Sequence, residues 1–599
     1  MNLKTQSNNE PKNQSRRDLL TSGAAVIGSS LLTTGVQNAQ AQSNSNKLPQ
    51  VDAPAGYNIL FVLVDQEHFF NKWPIPVPAR EAIKKKAITF VNHQNASVQC
   101  SSARSVIYTG QHIQHSGIFD NLNFLWQPDL SSKVKTIGHR LNELGYYPAY
   151  QGKWHLSYNM DQAKHAYNAP LDTYRKIIEG YGFHDFLGFG DICDKEWGGY
   201  TFDKANVASA VAWLRNQGQK LKAKKQPWYL AVNIVNPHDV AYYNSDLPSE
   251  NQQQNSAAIP VPRAPTDDLY KATWDSYPLP ESRKQALDAP GRPAAHKIYQ
   301  EAWNAVCGNW PNEDRRWRSL LNYYFNCIRD SDENVAAVMK GLKDSGMEDN
   351  TIVIFTADHG ELGGSHQMRG KGTTAYKEQN HLPLMIIHPA YPGGKECKAV
   401  TSQVDLATTI ISLTGKDATS RKKAAEGLPG RDLVPLLKNP EKADLESLRP
   451  GALYNFNMLS FVDAKWARRT YPWMFSGHVP TQEEIKLLTV NEPNFSTRSA
   501  MRSASNGRYR FSRYFSPLKF NTPTTFEELI ASNDLELFDL QSDPAEMNNL
   551  AMNPKQNAEL IMAMNKLTND LIAQEVGVDD GSFLPIRNGK WYFPNKNQR

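Results

Sequence analysis

The sequence predicts an α/β fold in which a large, mostly parallel sheet is sandwiched by helices and a smaller C-terminal α+β domain contains an antiparallel sheet. Three observations carry this reading. The segments Asn58 to Gln66, Trp228 to His238 and Thr351 to Gly360 each hold an apolar run stopped by polar residues, the mark of strands buried on both faces as a parallel sheet requires. Between them lie helix-period patterns, for example Lys135 to Leu144 and Asn326 to Ser345, so strand and helix alternate. From about residue 450 the texture changes to short alternating segments, Arg508 to Phe515 and Leu535 to Leu540, then to an amphipathic stretch near Gln556 to Glu575. That sequence of patterns suits antiparallel strands covered by a helix.

Taken in order, the chain opens with Ser15-Arg16-Arg17-Asp18-Leu19-Leu20, which leads into a mildly apolar stretch ending Ala39-Gln40-Ala41. Residues 1–41 read as a twin-arginine export signal, which implies passage through the twin-arginine translocase and a mature chain in the periplasm or secreted. Gly, Ser and Thr interrupt the apolar stretch, so it predicts no stable membrane span. Residues 42–56 are polar and proline-containing, a linker. The main α/β domain is expected over 57–445. Within it, residues 240–320 are rich in Pro, Gln, Asn and Trp and break the alternation; they read either as a lid over a site or as a surface insertion. The C-terminal domain is expected over 446–599.

Composition bounds the function. At 599 residues, 40% hydrophobic and 21% charged, the chain has the makings of a large soluble core. A net charge of +5 is too slight over this length to imply nucleic acid, and the lysine runs at Lys84 to Lys86 and Lys222 to Lys225 read as solvated faces. Five cysteines are few for an exported chain. With Cys100 set aside, Cys193, Cys307, Cys327 and Cys397 allow up to two bridges, and their spacing does not decide whether any forms.

The chemistry-bearing residues follow the strands. Asp65-Gln66, Asn236-Pro237-His238 and Asp358-His359 each end an apolar run, and ligands of open α/β sheets bind beyond the carboxyl ends of the strands. Asp65, Gln66, Asp358 and His359 offer two carboxylates, an amide oxygen and an imidazole, a mixed site suited to one divalent cation. Cys100 and Arg104, within the segment Val98 to His112, share a helical face, and Cys100 lies near a helix N-terminus that favours anions. Lys153 and His155 stand two apart in Gly152-Lys153-Trp154-His155 and point the same way if the backbone is extended. His238 is either a general acid for a leaving oxygen or a loop histidine. His366 and Lys371 add an imidazole and an ammonium in a glycine-rich loop.

On these motifs the chain resembles the formylglycine-dependent sulfatase family of the alkaline phosphatase superfamily. Asn58 to Gln66 resembles the family's opening metal strand, and Cys100 to Gly110 resembles its Cys-x-Pro-Ser-Arg signature through the Thr-Gly ending. Gly145 to His155 resembles its Gly-Tyr…Gly-Lys-Trp-His signature. Pro237-His238, Thr356 to Gly360, Gly370-Lys371-Gly372 and Glu536 to Leu550 follow in the family's order.

The resemblance implies that a formylglycine-generating enzyme oxidises Cys100 and that the hydrated aldehyde is the nucleophile. It implies that Asp65, Gln66, Asp358 and His359 hold one divalent metal, with Ca2+ the family default and Mn2+ or Mg2+ as alternatives. Arg104, Lys153 and His155 would position the nucleophile, while His238 and Lys371 would bind sulfate oxygens, His238 also acting as acid. The implied substrate is a sulfated small molecule or carbohydrate. Two departures matter: Ser102 and Ala103 replace the usual Pro or Ala and Ser after the cysteine, which bears on conversion of Cys100, and Gln66 with His359 replace acidic and Asn residues. The Gln66 and His359 pairing also resembles the family's phosphonate monoester and phosphodiester hydrolases. A non-catalytic sulfate-ester binding protein is the alternative if Cys100 stays a thiol.

Overall fold

The central run Asn58 to Val64 becomes strand β1, buried along its whole length. Alternation sends its side chains to two different layers. Ile59, Phe61 and Leu63 join a core with Ile107, Leu141 and Ile410, whereas Leu60, Val62 and Val64 pack with Ile83, Val207 and Val338. A strand that feeds two cores must be covered on both faces, and it is. In this computed structural model the described residues are 52–592, apart from 125, 158–159, 161–169, 189, 192–195, 475–480, 482, 484–485 and 487–491. The expected export signal, most of the linker and Cys193 therefore lie outside the described residues.

The strands in chain order are β1, β2 (Ile88–Phe90), β3 (His93–Gln94), β4 (Tyr147–Gly152), β5 (Trp228–Ile234), β6 (Thr351–Ala357), β7 (Leu384–Ile387), β8 (Lys395–Cys397), β9 (Thr401–Ser402), β10 (Ala452–Phe456), β11 (Ala500–Ser505), β12 (Tyr509–Phe515) and β13 (Asp534–Asp539). The main sheet has seven strands in the order β4-β5-β1-β6-β7-β2-β8. Strands β4, β5, β1 and β6 are mutually parallel, and β7 runs antiparallel to both its neighbours. The helices that matter to the site are α1 (Pro78–Lys86), α2 (Cys100–Thr109), α3 (Ile137–Glu143), α4 (Gly198–Trp213), α5 (Ala294–Cys307), α6 (Asp314–Asp344), α7 (Asp405–Leu413) and α8 (Ala558–Glu575). Residues of α1, α4 and α6 cover one face of the sheet, and those of α2, α3 and α7 cover the other.

The C-terminal segments form a four-stranded sheet, β10-β11-β12-β13, antiparallel throughout, with Phe511 opposite Leu537. Helix α8 lies on this sheet, Ile561 and Met564 packing with Phe511 and Leu537. This layer also reaches the main domain: Asn455 N donates to Ala96 O at 2.9 Å, and Ser97 Oγ donates to Asn455 O at 2.8 Å. Strand β10 thereby braces the residues that lead into Cys100.

Residues 240–320 are not a detached insertion. They supply α5 and the start of α6, which begins at Asp314 rather than near Asn326. Trp317, Leu320, Leu321, Tyr324 and Ile328 repeat at helical spacing and are buried; the Trp- and Asn-rich composition hides that period. Cys100, Cys307, Cys327 and Cys397 are free and buried, so no bridge forms among the described cysteines. Among the described residues no helix is long and apolar enough to cross a membrane.

The end of β4 shows how tightly the backbone is committed near the site. Gly152 has φ +87°, and a Cβ there would lie 2.0 Å from the Asn233 carbonyl oxygen. Gly152→Ala is expected to destabilise the protein by about 2 kcal/mol or more, read as a lowered midpoint in thermal unfolding.

Candidate active site

Register brings the site together. Val64 of β1 stands opposite Ala357 of β6 and Ile234 of β5, so the next residues, Asp65 and Asp358, emerge side by side at the carboxyl edge of the sheet. Asp358 Oδ1 accepts from Gln66 N at 3.1 Å and from His359 N at 2.9 Å. Helix α2 then presents Cys100 at its first turn, where Sγ lies 3.2 Å from His359 Nε2 and 3.7 Å from Asp65 Oδ1. His359 Nδ1 lies 3.1 Å from Gly360 O. Because a carbonyl only accepts, Nδ1 carries a proton, and Nε2 faces the cluster.

The cations arrive from three directions. Lys153 Nζ donates to Asp65 Oδ2 at 2.6 Å. Arg104, one helical turn after Cys100, uses Nε on Asp358 Oδ2 at 3.0 Å, a terminal nitrogen on Asp65 Oδ2 at 3.4 Å, and the other on Lys153 O at 2.8 Å and Asn233 Oδ1 at 3.2 Å. Its donors thus fix the two carboxylates and the Lys153 backbone rather than facing a substrate. Lys371 Nζ donates to Gln66 Oε1, and Gln66 Nε2 donates to Glu361. The Gln66 amide oxygen, expected on a metal, is therefore held by an ammonium in this structure.

Lys153 and His155 reach the site, but not by strand alternation. Strand β4 stops at Gly152, and His155 takes a left-handed conformation at φ +57°. Asp191 accepts from the backbone N–H groups of Trp154 and His155 and so holds the turn. His366 goes elsewhere: its ring stacks on Tyr376 at 3.6 Å and its Nδ1 lies 2.8 Å from Gln285 Oε1.

Electrostatics follow from this packing. Burial pushes the Cys100 thiol up, but Lys153, Lys371 and His359 outweigh it, with His155 bonded to the sulfur, and hold it well below the usual thiol range. Burial and the Cys100 thiolate raise Asp65, yet Lys153 and His359 help hold it ionised, below the ordinary carboxylate range. Asp358 goes the other way, pushed up to about 6 by burial and by Asp65. The two carboxyls titrate as a pair. Burial, Lys371 and Lys153 bring His238 down to about 3, a neutral imidazole at neutral pH.

Asp65, Cys100, Asp358 and His359 are all buried, with ligand atoms within 4.8 Å of one another. This is a mixed oxygen, nitrogen and sulfur donor set that fits one divalent cation. Beside it opens a cleft lined by Gln99, Asn121, Phe124, His155, His238, Lys371 and, from α5, Trp303 and Val306. The 240–320 stretch therefore walls the site. Glu361, Asp191 and the aromatic wall residues escaped the sequence reading. Glu361 alone had a local signal, since it follows Asp358-His359-Gly360 directly.

With this geometry in view, comparison with known proteins is decisive: a family model described as Sulfatase matches residues 57–416. The chain belongs to the sulfatase family. It is a sulfuric ester hydrolase within the alkaline phosphatase superfamily. Among curated relatives it is 26% identical to an ulvan-active sulfatase of Formosa agariphila, over 67% of this chain and 68% of that one. It is 25% identical to a choline-sulfatase of Rhizobium meliloti, over 68% and 77% of the two chains. Among solved structures, a 2-O GAG sulfatase superposes with TM-score 0.60 at 18% identity, covering 87% of this chain and 92% of that one. A phosphonate monoester hydrolase from Silicibacter pomeroyi does so with TM-score 0.55 at 18% identity, covering 87% and 96%. At such identity the structures attest the shared fold.

In metal-free, unconverted protein, Cys100 is expected to show thiolate ultraviolet absorbance at neutral pH. Lys371→Met removes one of the cations that stabilise the anion, so the midpoint of that absorbance should move to higher pH. An unmoved midpoint contradicts the role given to Lys371.

Proposed function

We propose that this sulfatase is an exported enzyme that hydrolyses a sulfate monoester, with residue 100 converted to formylglycine and one divalent metal at Asp65, Asp358 and His359. The observation that carries the reading is the convergence on Cys100 Sγ of the donor set and of Lys153, Lys371, His155 and His238. A formylglycine there would supply a hydrated aldehyde, one hydroxyl attacking sulfur and the other expelling sulfate as the carbonyl re-forms. A bound cation, Ca2+ by family habit, would supply Lewis-acid polarisation of the nucleophile and of an ester oxygen.

The remaining work falls to this chain's residues. Lys153 neutralises Asp65 and lies beside residue 100, His155 hydrogen-bonds the group at that position, and Arg104 fixes the carboxylates. Lys371 and His238 face the cleft, where a sulfate ester presents its oxygens. Burial, with the field of Lys371 and Lys153, keeps His238 neutral; the anion offsets that field, so His238 takes up a proton with the substrate and delivers it to the departing oxygen. The alcohol portion lies against Phe124, Tyr242, Trp303 and Phe461. Aromatic walls suit the apolar faces of a sugar ring, in keeping with relatives named for ulvan and for GAG sulfate. Residues 1–41 are proposed to direct twin-arginine export, with the mature chain in the periplasm or outside the cell.

A specific observation favours a second reading. The Asp65-Gln66 and Asp358-His359 pairs resemble those of phosphonate monoester hydrolases, and one such enzyme shares the fold. Side-by-side turnover of an aryl sulfate and an aryl phosphodiester separates the two, and faster phosphodiester cleavage overturns the sulfatase assignment.

Two further outcomes are expected. Intact mass of the peptide carrying residue 100 should show the aldehyde or its hydrate; thiol alone in active protein sinks the mechanism. Exhaustive chelation should abolish turnover and divalent metal restore it, whereas full activity after chelation contradicts the donor assignment.

A further inference from the structure

The segment that carries His238 is tied to the start of helix α4 by two carboxylates acting in opposite directions. Asp203, in the second turn of α4 and fully buried, accepts from Val235 N at 2.8 Å and Asn236 N at 2.7 Å. Asp239, the residue after His238, accepts from Gly199 N and Tyr200 N, each at 2.9 Å. These two amides belong to the first turn of α4 and have no acceptor within the helix. Helix thus holds segment at 235 and 236, and segment holds helix at 199 and 200.

Two more features close the assembly. A Cβ on Gly199 would lie 2.4 Å from Asn236 Cγ and 2.8 Å from Asn236 N, so only glycine permits this approach. Asn236 Nδ2 donates to Asp330 Oδ2 at 2.9 Å, tying the same residue to α6. The His238 side chain is hydrogen-bonded to Cys100, and its ring meets Tyr242 edge-on at 5.6 Å. A metal ligand or catalytic imidazole is commonly oriented through its second nitrogen. Among the described residues nothing bonds Nδ1, so the backbone of residues 235–239 does much of the aiming.

We infer that Asp203 and Asp239 are positioning residues that set the His238 imidazole against the leaving-group oxygen through this reciprocal clamp. The inference rests on the acid role proposed for His238. Asp239→Asn keeps the shape, yet its amide nitrogen must face one of the two helix N–H groups, so one bond is lost. Gly199→Ala loads the clamp from the other side.

The test is turnover of substituted phenyl sulfates, from acidic nitrophenols to phenol itself, by wild type, His238→Ala, Asp239→Asn and Gly199→Ala. Loss of proton donation costs most where the leaving group is poorest. Both clamp variants are expected to lose about ten- to a hundredfold in kcat on phenyl sulfate, much less on the nitrophenyl esters, and to add little to His238→Ala when combined with it. A uniform loss across the series, or full additivity, overturns the inference. Histidine carbon-13 NMR of the intact chain gives a readout independent of activity. The resonance missing in His238→Ala should shift in both clamp variants while the other histidine signals stay, and an unmoved resonance overturns the clamp whatever the turnover. If instead His238→Ala loses activity evenly across the series, the acid role falls, and a shifted resonance still supports the clamp as what positions the ring.

Discussion

The ion pair between Lys153 and Asp65 is the contact on which the rest of the site depends. Asp65 is wholly buried, and an isolated carboxylate in that setting costs several kcal/mol to desolvate. Lys153 offsets that cost at 2.6 Å, and Arg104 adds a second contact to the same oxygen while bonding Asp358. With Lys371 and Glu361 nearby, three carboxyls and the Cys100 thiol stand against Lys153, Arg104 and Lys371, all of them buried. Cations gathered around Cys100 favour an anion there.

The fold places these charges by register. Adjacent parallel strands β1, β5 and β6 end level with one another, so Asp65, the segment after Ile234 and Asp358 leave the sheet at the same height. A helix beginning at Cys100 then sets one more polar group at the same edge, with its N-terminal amides behind it. The opposing side chains of β1 bury into two separate cores, which leaves the strand no freedom to slide. A slip of one residue would exchange the two layers and remove Asp65 from the site.

Much of this was legible in the amino-acid order. Three apolar runs ending in polar residues announced both the parallel sheet and the edge where its polar residues gather, because burial on both faces and a carboxyl-end cluster leave a local trace. Cys100 with Arg104 was visible as a helical pair, although its guanidinium proved to be committed to Asp65 and Asp358, which periodicity cannot show. Lys153 and His155 were found for an incomplete reason: alternation was assumed where a left-handed His155, held by Asp191, makes the turn. Trp303, Phe124 and Phe461 were out of reach, since they meet at the cleft only through tertiary packing. The helix from Asp314 was half missed because its polar and tryptophan-rich face disguised the apolar stripe.

The bracing of the Cys100 segment by the C-terminal layer has a consequence in time. Ser97 is bonded to Asn455, 358 residues later, and His112, just past α2, is bonded to Glu575, 463 residues later. At about 5 to 20 residues per second of synthesis, those partners emerge roughly 20 to 90 s after the cysteine does. Throughout that interval the helix lacks the contacts that grip both its ends. In the folded chain the sulfur is 0% exposed. Any second protein that must work on this thiol therefore has a deadline set by the length of the chain, and the ribosome keeps the clock.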